Sequence, residues 1–281
     1  MSVNEDLITS EVNNTLSEPI SDDKIQKISK FCYSIQNKQK KIIKEPKFDE
    51  DGDLILDNED EEIIEIEHKI QTNLSEVGFQ IWRGALFMAD FAIHHSEIFQ
   101  NKTILEIGAG TGITSIVISK HCHPKKVIAT DLDFLHDTLK NNLKRNNSTA
   151  YAQVLDLNKY EETKLSLELA NVEIVFGADI IYDNNITDSL LNFMKTFQNS
   201  SKINKIFYFT IDKRYVFTLN DLDTVAPAYE YFMAKLEELA ELEENSQEIS
   251  INESYPNEIR QAFCYERSKD LVLLSIHMKP K

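Results

Sequence analysis

Residues 104–112 read Ile-Leu-Glu-Ile-Gly-Ala-Gly-Thr-Gly. An apolar run enters three glycines spaced two apart, Gly108, Gly110 and Gly112, and an acid, Glu106, sits two residues before the first. Glycine reaches left-handed backbone without steric cost and lets a nucleotide-like ligand approach the main chain closely. A strand that ends in such a loop and leads into a helix is the opening unit of an α/β sheet with its ligand at the strand ends. Dinucleotide sites use Gly-x-Gly-x-x-Gly and rest a pyrophosphate on a helix N-terminus. The spacing here is different, so a hydride-transfer enzyme is disfavoured.

The same unit repeats along the chain. Apolar strands are expected at 103–107, 127–131, 151–155, 173–178 and 205–211, with helices near 112–121, 134–146, 160–169 and 187–198. A helix enriched in Leu86, Met88, Ala89, Phe91 and Ala92 precedes them, and a long one follows at 226–244. Such alternation predicts a mostly parallel sheet with helices on both faces. The tail has apolar stretches at 247–251, 262–266 and 271–278. The last two read as a hairpin across Arg267-Ser268-Lys269-Asp270.

Residues 1–62 read differently and are expected to form an acidic, partly disordered extension, with the main domain running over 63–281. Ile25, Ile28, Phe31, Cys32 and Ile35 share a helical face, so one short helix is expected there. Ile64, Ile66 and His68 alternate with charged residues as an exposed strand would. Lys38, Lys40, Lys41 and Lys44 read as a nuclear address or a solvated helix end.

The formal net charge of -17 works against a grip on nucleic acid and suits a basic protein partner, or serves solubility. Cys32, Cys122 and Cys264 form neither a zinc spacing nor a disulfide framework, so no metal is expected. The opening residues lack a secretory pattern, and no apolar run approaches a membrane span. The expected compartment is cytoplasm or nucleus.

The candidate site follows strand order. Glu106 and the glycine loop would hold a cationic, amino-acid-like end of a ligand. Asp131 closes the second strand, where a carboxylate accepts from two ribose hydroxyls. Asp156 and Leu157 close the third, suited to an adenine amine and its ring. The fourth strand ends Gly177-Ala178-Asp179-Ile180-Ile181-Tyr182. Each residue alone has a plain structural reading: an acid after a strand is often a helix N-cap, and Trp82 or Tyr182 could simply pack. Their occurrence in one order carries the inference.

Three features give the chain a family resemblance. They are the entry segment Gln80-Ile81-Trp82-Arg83-Gly84-Ala85, the Glu106–Gly112 loop, and Asp179-Ile180-Ile181-Tyr182 as an Asp-x-x-Tyr motif. Together, from about Ile63 onward, they resemble family 16 of the methyltransferase-like proteins, seven-strand lysine methyltransferases. Ile66-Glu67-His68, Asp212-Lys213-Arg214 and Tyr265-Glu266-Arg267 point to one branch within it. The resemblance implies a Rossmann-like class I methyltransferase fold and S-adenosyl-L-methionine as cofactor. It implies cofactor contacts from Trp82, Gly108, Ala109, Gly110, Asp131, Leu157 and Ala178, with Asp179 and Tyr182 lining a lysine channel. Leu157 departs from the tryptophan many members carry there. The implied substrate is a nuclear, nucleic-acid-associated protein. A monomer is expected. A methyltransferase of small molecules or nucleic acid, and a non-catalytic module that keeps the fold, are the alternatives.

Overall fold

The buried side chains of the central strands alternate between two hydrophobic clusters, one on each face of the sheet, and that alternation sets the layers. In β1 (Thr103–Ile107), Ile104 joins one buried cluster while Leu105 and Ile107 join another. The same split recurs in β2 (Lys126–Asp131), with Val127 and Ala129 on one side and Ile128 on the other. β3 (Tyr151–Val154), β4 (Ile174–Ala178), β5 (Lys205–Asp212), β6 (Ile249–Ser254) and β7 (Leu271–Met278) complete the sheet. This computed structural model describes residues 7–12, 17–19, 25–35, 47–48, 54–55, 61–162, 169, 171–199, 203–218, 223–243 and 249–279.

The spatial order is β3-β2-β1-β4-β5-β7-β6. The first five strands pair in parallel, and β7 enters antiparallel between β5 and β6. Helices α1 (Arg83–His94), α2 (Ile113–His121) and α3 (His136–Arg145) cover one face. The other face lies under α4 (Asn184–Asn199) and α5 (Pro227–Glu243). The expected α/β class I architecture, a mostly parallel seven-stranded sheet with helices on both faces, is therefore present.

Three local expectations need correction. The segment 25–35 is not a helix: Gln26–Ser34 is a strand antiparallel to Glu61–Lys69. Its buried residues are Ser29, Phe31 and Tyr33, a period of two. Ser29 is buried because its hydroxyl meets His68 Nε2 at 2.7 Å, and a buried serine hides the alternation from a hydrophobic count. The strand at 61–69 is not exposed either, since Ile64, Ile66 and His68 are buried. Finally, β7 pairs with 249–254, not with 262–266. Asp90 of α1 pins that latter stretch with bonds to the Ala262 and Phe263 amides and to nearby Arg267, and among the described residues it forms a single bridge, Tyr33 with Phe263.

After β3, Leu157–Glu162 is a 3₁₀ turn, and most of the helix expected at 160–169 falls outside the described residues. So do Lys38, Lys40, Lys41, Lys44 and most of the acidic run Asp49–Glu62.

The 61–69 strand docks on α3 through two asparagines one helical turn apart. Asn142 Oδ1 accepts from the Glu67 amide at 2.8 Å, and its Nδ2 donates to the Glu67 carbonyl at 2.9 Å. Asn146 repeats the pattern at Glu65, at 2.9 and 2.7 Å. The helix thus presents two side-chain amides as a substitute strand edge. Asn142 Nδ2 also reaches the Thr111 carbonyl in the glycine loop at 2.9 Å. Replacing Asn142 with leucine leaves three backbone groups, the Glu67 amide and carbonyl and the buried Thr111 carbonyl, without this partner. The expected loss is about 3 kcal/mol in urea unfolding.

Candidate active site

The loop after β1 needs its glycines. Gly108, Gly110 and Gly112 all have positive φ, +63°, +53° and +84°. A Cβ on Gly110 would stand 2.8 Å from the Gly78 carbonyl oxygen, a backbone atom that cannot step aside. The loop is held from β2: the Ala109 amide donates to the Thr130 carbonyl at 2.9 Å, and the Gly110 amide to Asp131 Oδ2 at 2.6 Å. Asp131 Oδ1 accepts from the Leu132 amide at 2.7 Å.

A cavity of about 430 Å³ opens at these strand ends. It brings together Trp82, Glu106, Gly108, Ala109, Gly110, Asp131, Ala178, Asp179 and Tyr182. Gly112, Asp156 and Leu157 do not line it. Gly112 serves as the left-handed N-cap of α2. Asp156 caps the next turn through the Asn158 amide at 3.0 Å and faces Lys159 at 3.5 Å. Leu157 packs on the α4 side of the sheet. Apolar wall around Asp131 comes instead from Leu132, Phe134 and Leu135.

The entry segment does a separate task at each residue. Gln80 Nε2 donates to Thr72 Oγ1 at 2.6 Å and to the Ile8 carbonyl at 2.9 Å. Ile81 is buried. The Trp82 indole N–H donates to the Val77 carbonyl at 3.0 Å. Arg83 lies 3.6 Å from Asp212 at the end of β5. A Cβ on Gly84 would meet Asp179 Cβ at 3.0 Å, so a residue without one lets the start of α1 abut that carboxylate.

Asp179 itself has φ +59°, an unusual conformation for a residue other than glycine. Its amide donates to the Thr210 carbonyl at 2.8 Å. Arg214 grips its carboxylate with both forks, Nη1 to Oδ1 and Nη2 to Oδ2, each at 3.1 Å. The same guanidinium sits over the Trp82 ring, 5.2 Å from its centroid. Arg214 stands in the Asp212-Lys213-Arg214 run, but nothing in the local sequence pairs it with Asp179. Sequence reading also missed Ile8, Thr9 and Glu11 in the cavity wall.

Burial sets the charge state of two acids in the cavity wall. Glu106 is fully enclosed and bonded by Ser115, and desolvation pushes its carboxyl up to about 8. Desolvation also raises Asp131, to about 6, against the opposing pull of the Gly110 and Leu132 amides. Burial raises the Tyr182 phenol, so the hydroxyl keeps its proton at neutral pH.

The family model described as "Lysine methyltransferase" matches residues 58–239. The chain belongs to the lysine methyltransferase family. It is 31% identical over 266 residues to mouse methyltransferase-like protein 22, covering 82% of this chain and 64% of that one. The human counterpart is 29% identical over 253 residues, with 78% and 58% covered. Human protein-lysine N-methyltransferase EEF2KMT is 30% identical over 117 residues, 37% of this chain and 36% of that one. The chain thus spans less than two thirds of the length of methyltransferase-like protein 22 from either species.

For a lysine methyltransferase the implied cofactor is S-adenosylmethionine, and the residues present fit it. Asp131 keeps lone pairs for ribose hydroxyls after its two amide bonds. Leu132, Phe134 and Leu135 offer apolar surface beside it, and Glu106 supplies an acid near the loop for a cationic end.

Two outcomes follow. Gly110→Ala should lose S-adenosylmethionine binding in calorimetry, by about 100-fold or more, while circular dichroism stays that of the parent. The sign of the pH effect comes from the raised carboxyls. Free Asp131 is protonated below about 6, and free Glu106 below about 8. A ligand that prefers their ionised forms binds better as pH rises through each value and releases protons on binding. Calorimetry in buffers of different ionisation enthalpy should show that release at neutral pH.

Proposed function

We propose that this chain uses S-adenosylmethionine to methylate lysine side chains of a protein. The observation that carries the reading is the placement of Asp179 and Tyr182. Both line the cavity that holds the glycine loop, and Arg214 locks the aspartate in a left-handed conformation. Bound S-adenosylmethionine supplies an electrophilic methyl group. The chain must present a neutral amine to it.

Free lysine has a pKa near ~10.4, and a site that excludes water lowers it. Arg214 occupies both oxygens of Asp179, so this carboxylate does not hold the lysine as an ammonium. It fixes the turn that carries Tyr182. Tyr182 keeps its hydroxyl proton and is 40% exposed, so it is open to an arriving side chain. Most of the acceleration comes from positioning. A second recess of about 220 Å³ shares Tyr182 and Arg214 with the main cavity and continues to Ala226–Tyr229. It suits the chain that carries the lysine.

The partner in this reading is a basic protein, nuclear and associated with nucleic acid, met by a monomer in the nucleus or cytoplasm. The net charge of -17 supports a basic partner, as do the exposed Glu237, Glu238 and Glu241 on α5. Glu243 and Glu244, with the same sign, have side chains outside the described residues. Free thiols at Cys32, Cys122 and Cys264 support a reducing compartment.

Labelled S-adenosylmethionine, incubated with the protein and cell extract, should mark a protein, and mass spectrometry should place the label on lysine. The Asp179→Ala, Tyr182→Phe double variant should lose at least about 100-fold in kcat/KM while retaining cofactor affinity. Label on nucleic acid or small molecules would replace the lysine reading. Cofactor affinity absent from the parent protein would replace it with a non-catalytic module.

A further inference from the structure

The cavity wall includes a segment far from every motif strand. Ile8–Thr9 pairs antiparallel with Gln71–Thr72, and the Ser10 amide donates to the Ile70 carbonyl at 2.8 Å. Gln80 holds the Ile8 carbonyl at 2.9 Å. Val12, just beyond, is buried in the core. These anchors form a strap, and between them Glu11 faces the cavity.

Four carboxylates line that cavity: Glu11, Glu106, Asp131 and Asp179. Three are occupied. Ser115 bonds Glu106, the Gly110 and Leu132 amides take the two oxygens of Asp131, and Arg214 takes both of Asp179. Glu11 differs. Its Oε1 lies 3.6 Å from Arg214 Nε, and its Oε2 is buried without a hydrogen-bond partner among the described residues. The local charge is also unbalanced. Among the described residues, Glu11, Asp179 and Asp212 face two cations, Arg83 and Arg214. One negative charge and one buried acceptor remain, next to the residues assigned to the lysine end.

We propose that Glu11 is a substrate-binding residue, whose side chain turns its enclosed, unpaired oxygen toward the cavity to receive the ammonium group of the incoming side chain. The proposal rests on the lysine reading for the identity of that side chain, but the site needs only a primary ammonium. An unfilled buried acceptor is unfavourable, and a cation with N–H donors both satisfies it and cancels the excess charge. Burial raises the carboxyl of Glu11 and so favours the arrival of a cation that shares its charge. Glu11 therefore captures the charged lysine, and the amine loses its proton to solvent as it moves on to Tyr182.

Trp82 is the only tryptophan in the chain and lies beneath Arg214, so its fluorescence reports on this corner. The probe is n-butylammonium chloride, titrated at constant ionic strength into the full chain saturated with S-adenosylhomocysteine. The parent protein should bind it saturably. Glu11→Gln should weaken it by about tenfold, and Glu11→Asp by less, with S-adenosylhomocysteine affinity unchanged in both. Equal butylammonium affinity in the parent and Glu11→Gln overturns the proposal. So does saturable binding absent from the parent, or a matching loss of S-adenosylhomocysteine affinity, which would assign Glu11 to the cofactor. Butylammonium binding that needs Glu11, without labelled lysine in extract, supports the ammonium site and overturns only the choice of lysine.

Discussion

A sheet covered by helices on both faces leaves polar chemistry one outlet, the carboxyl ends of its parallel strands. β1, β2, β4 and β5 are buried along almost their whole length. Their ends carry the glycine loop, Asp131, Ala178-Asp179 and Asp212. No other place in the layered core could bring these four together, because each strand interior is committed to a hydrophobic cluster on either side. The cavity is a consequence of that commitment.

The same burial sets the electrostatics. Glu106 is the acid closest to the sheet interior and rises furthest, to about 8, because little water reaches it and Asp131 adds a like charge. Asp131 lies one strand over and stops at about 6, since two backbone amides favour its ionised form. Asp179 and Asp212 meet the problem differently, with a guanidinium each from Arg214 and Arg83. The cavity therefore has one end where carboxylates stand without cations and another where they are paired. A cofactor with a sulfonium and an ammonium suits the first end, where the raised carboxyls of Glu106 and Asp131 ionise on its arrival.

How much of this the sequence discloses depends on range. The glycine loop, Asp131 and the Asp179–Tyr182 segment are legible because each is a local pattern at the end of an apolar run. The mostly parallel sheet with helices on both faces also follows from the alternation of elements. What stays hidden is pairing at a distance. Arg214 is thirty-five residues from Asp179, and Glu11 lies in a segment whose polar composition reads as extension. Asn142 and Asn146 look like ordinary surface residues of α3 until the 61–69 strand is laid on them. The helix expected at 25–35 fails for the same reason. Its true period of two runs through Ser29, whose burial depends on His68 across the strand pair.

Asp179 shows how these long-range pairs override local preference. Left-handed backbone costs an L-residue about 1–2 kcal/mol, with aspartate near the lower end. Arg214 makes two charge-assisted hydrogen bonds to the Asp179 carboxylate but is 40% exposed, so solvent screening leaves each about 1 kcal/mol. The fork offsets the strain, and the ion pair fixes the carboxylate's position. The missing Cβ at Gly84 removes the steric objection from α1, and the Thr210 carbonyl fixes the amide. β5 thus acts on Asp179 twice, through Thr210 within the strand and Arg214 just past its end. The conformation of the Asp-x-x-Tyr turn is consequently a property of β4, β5 and α1 together, and a change in any one of them reaches Tyr182.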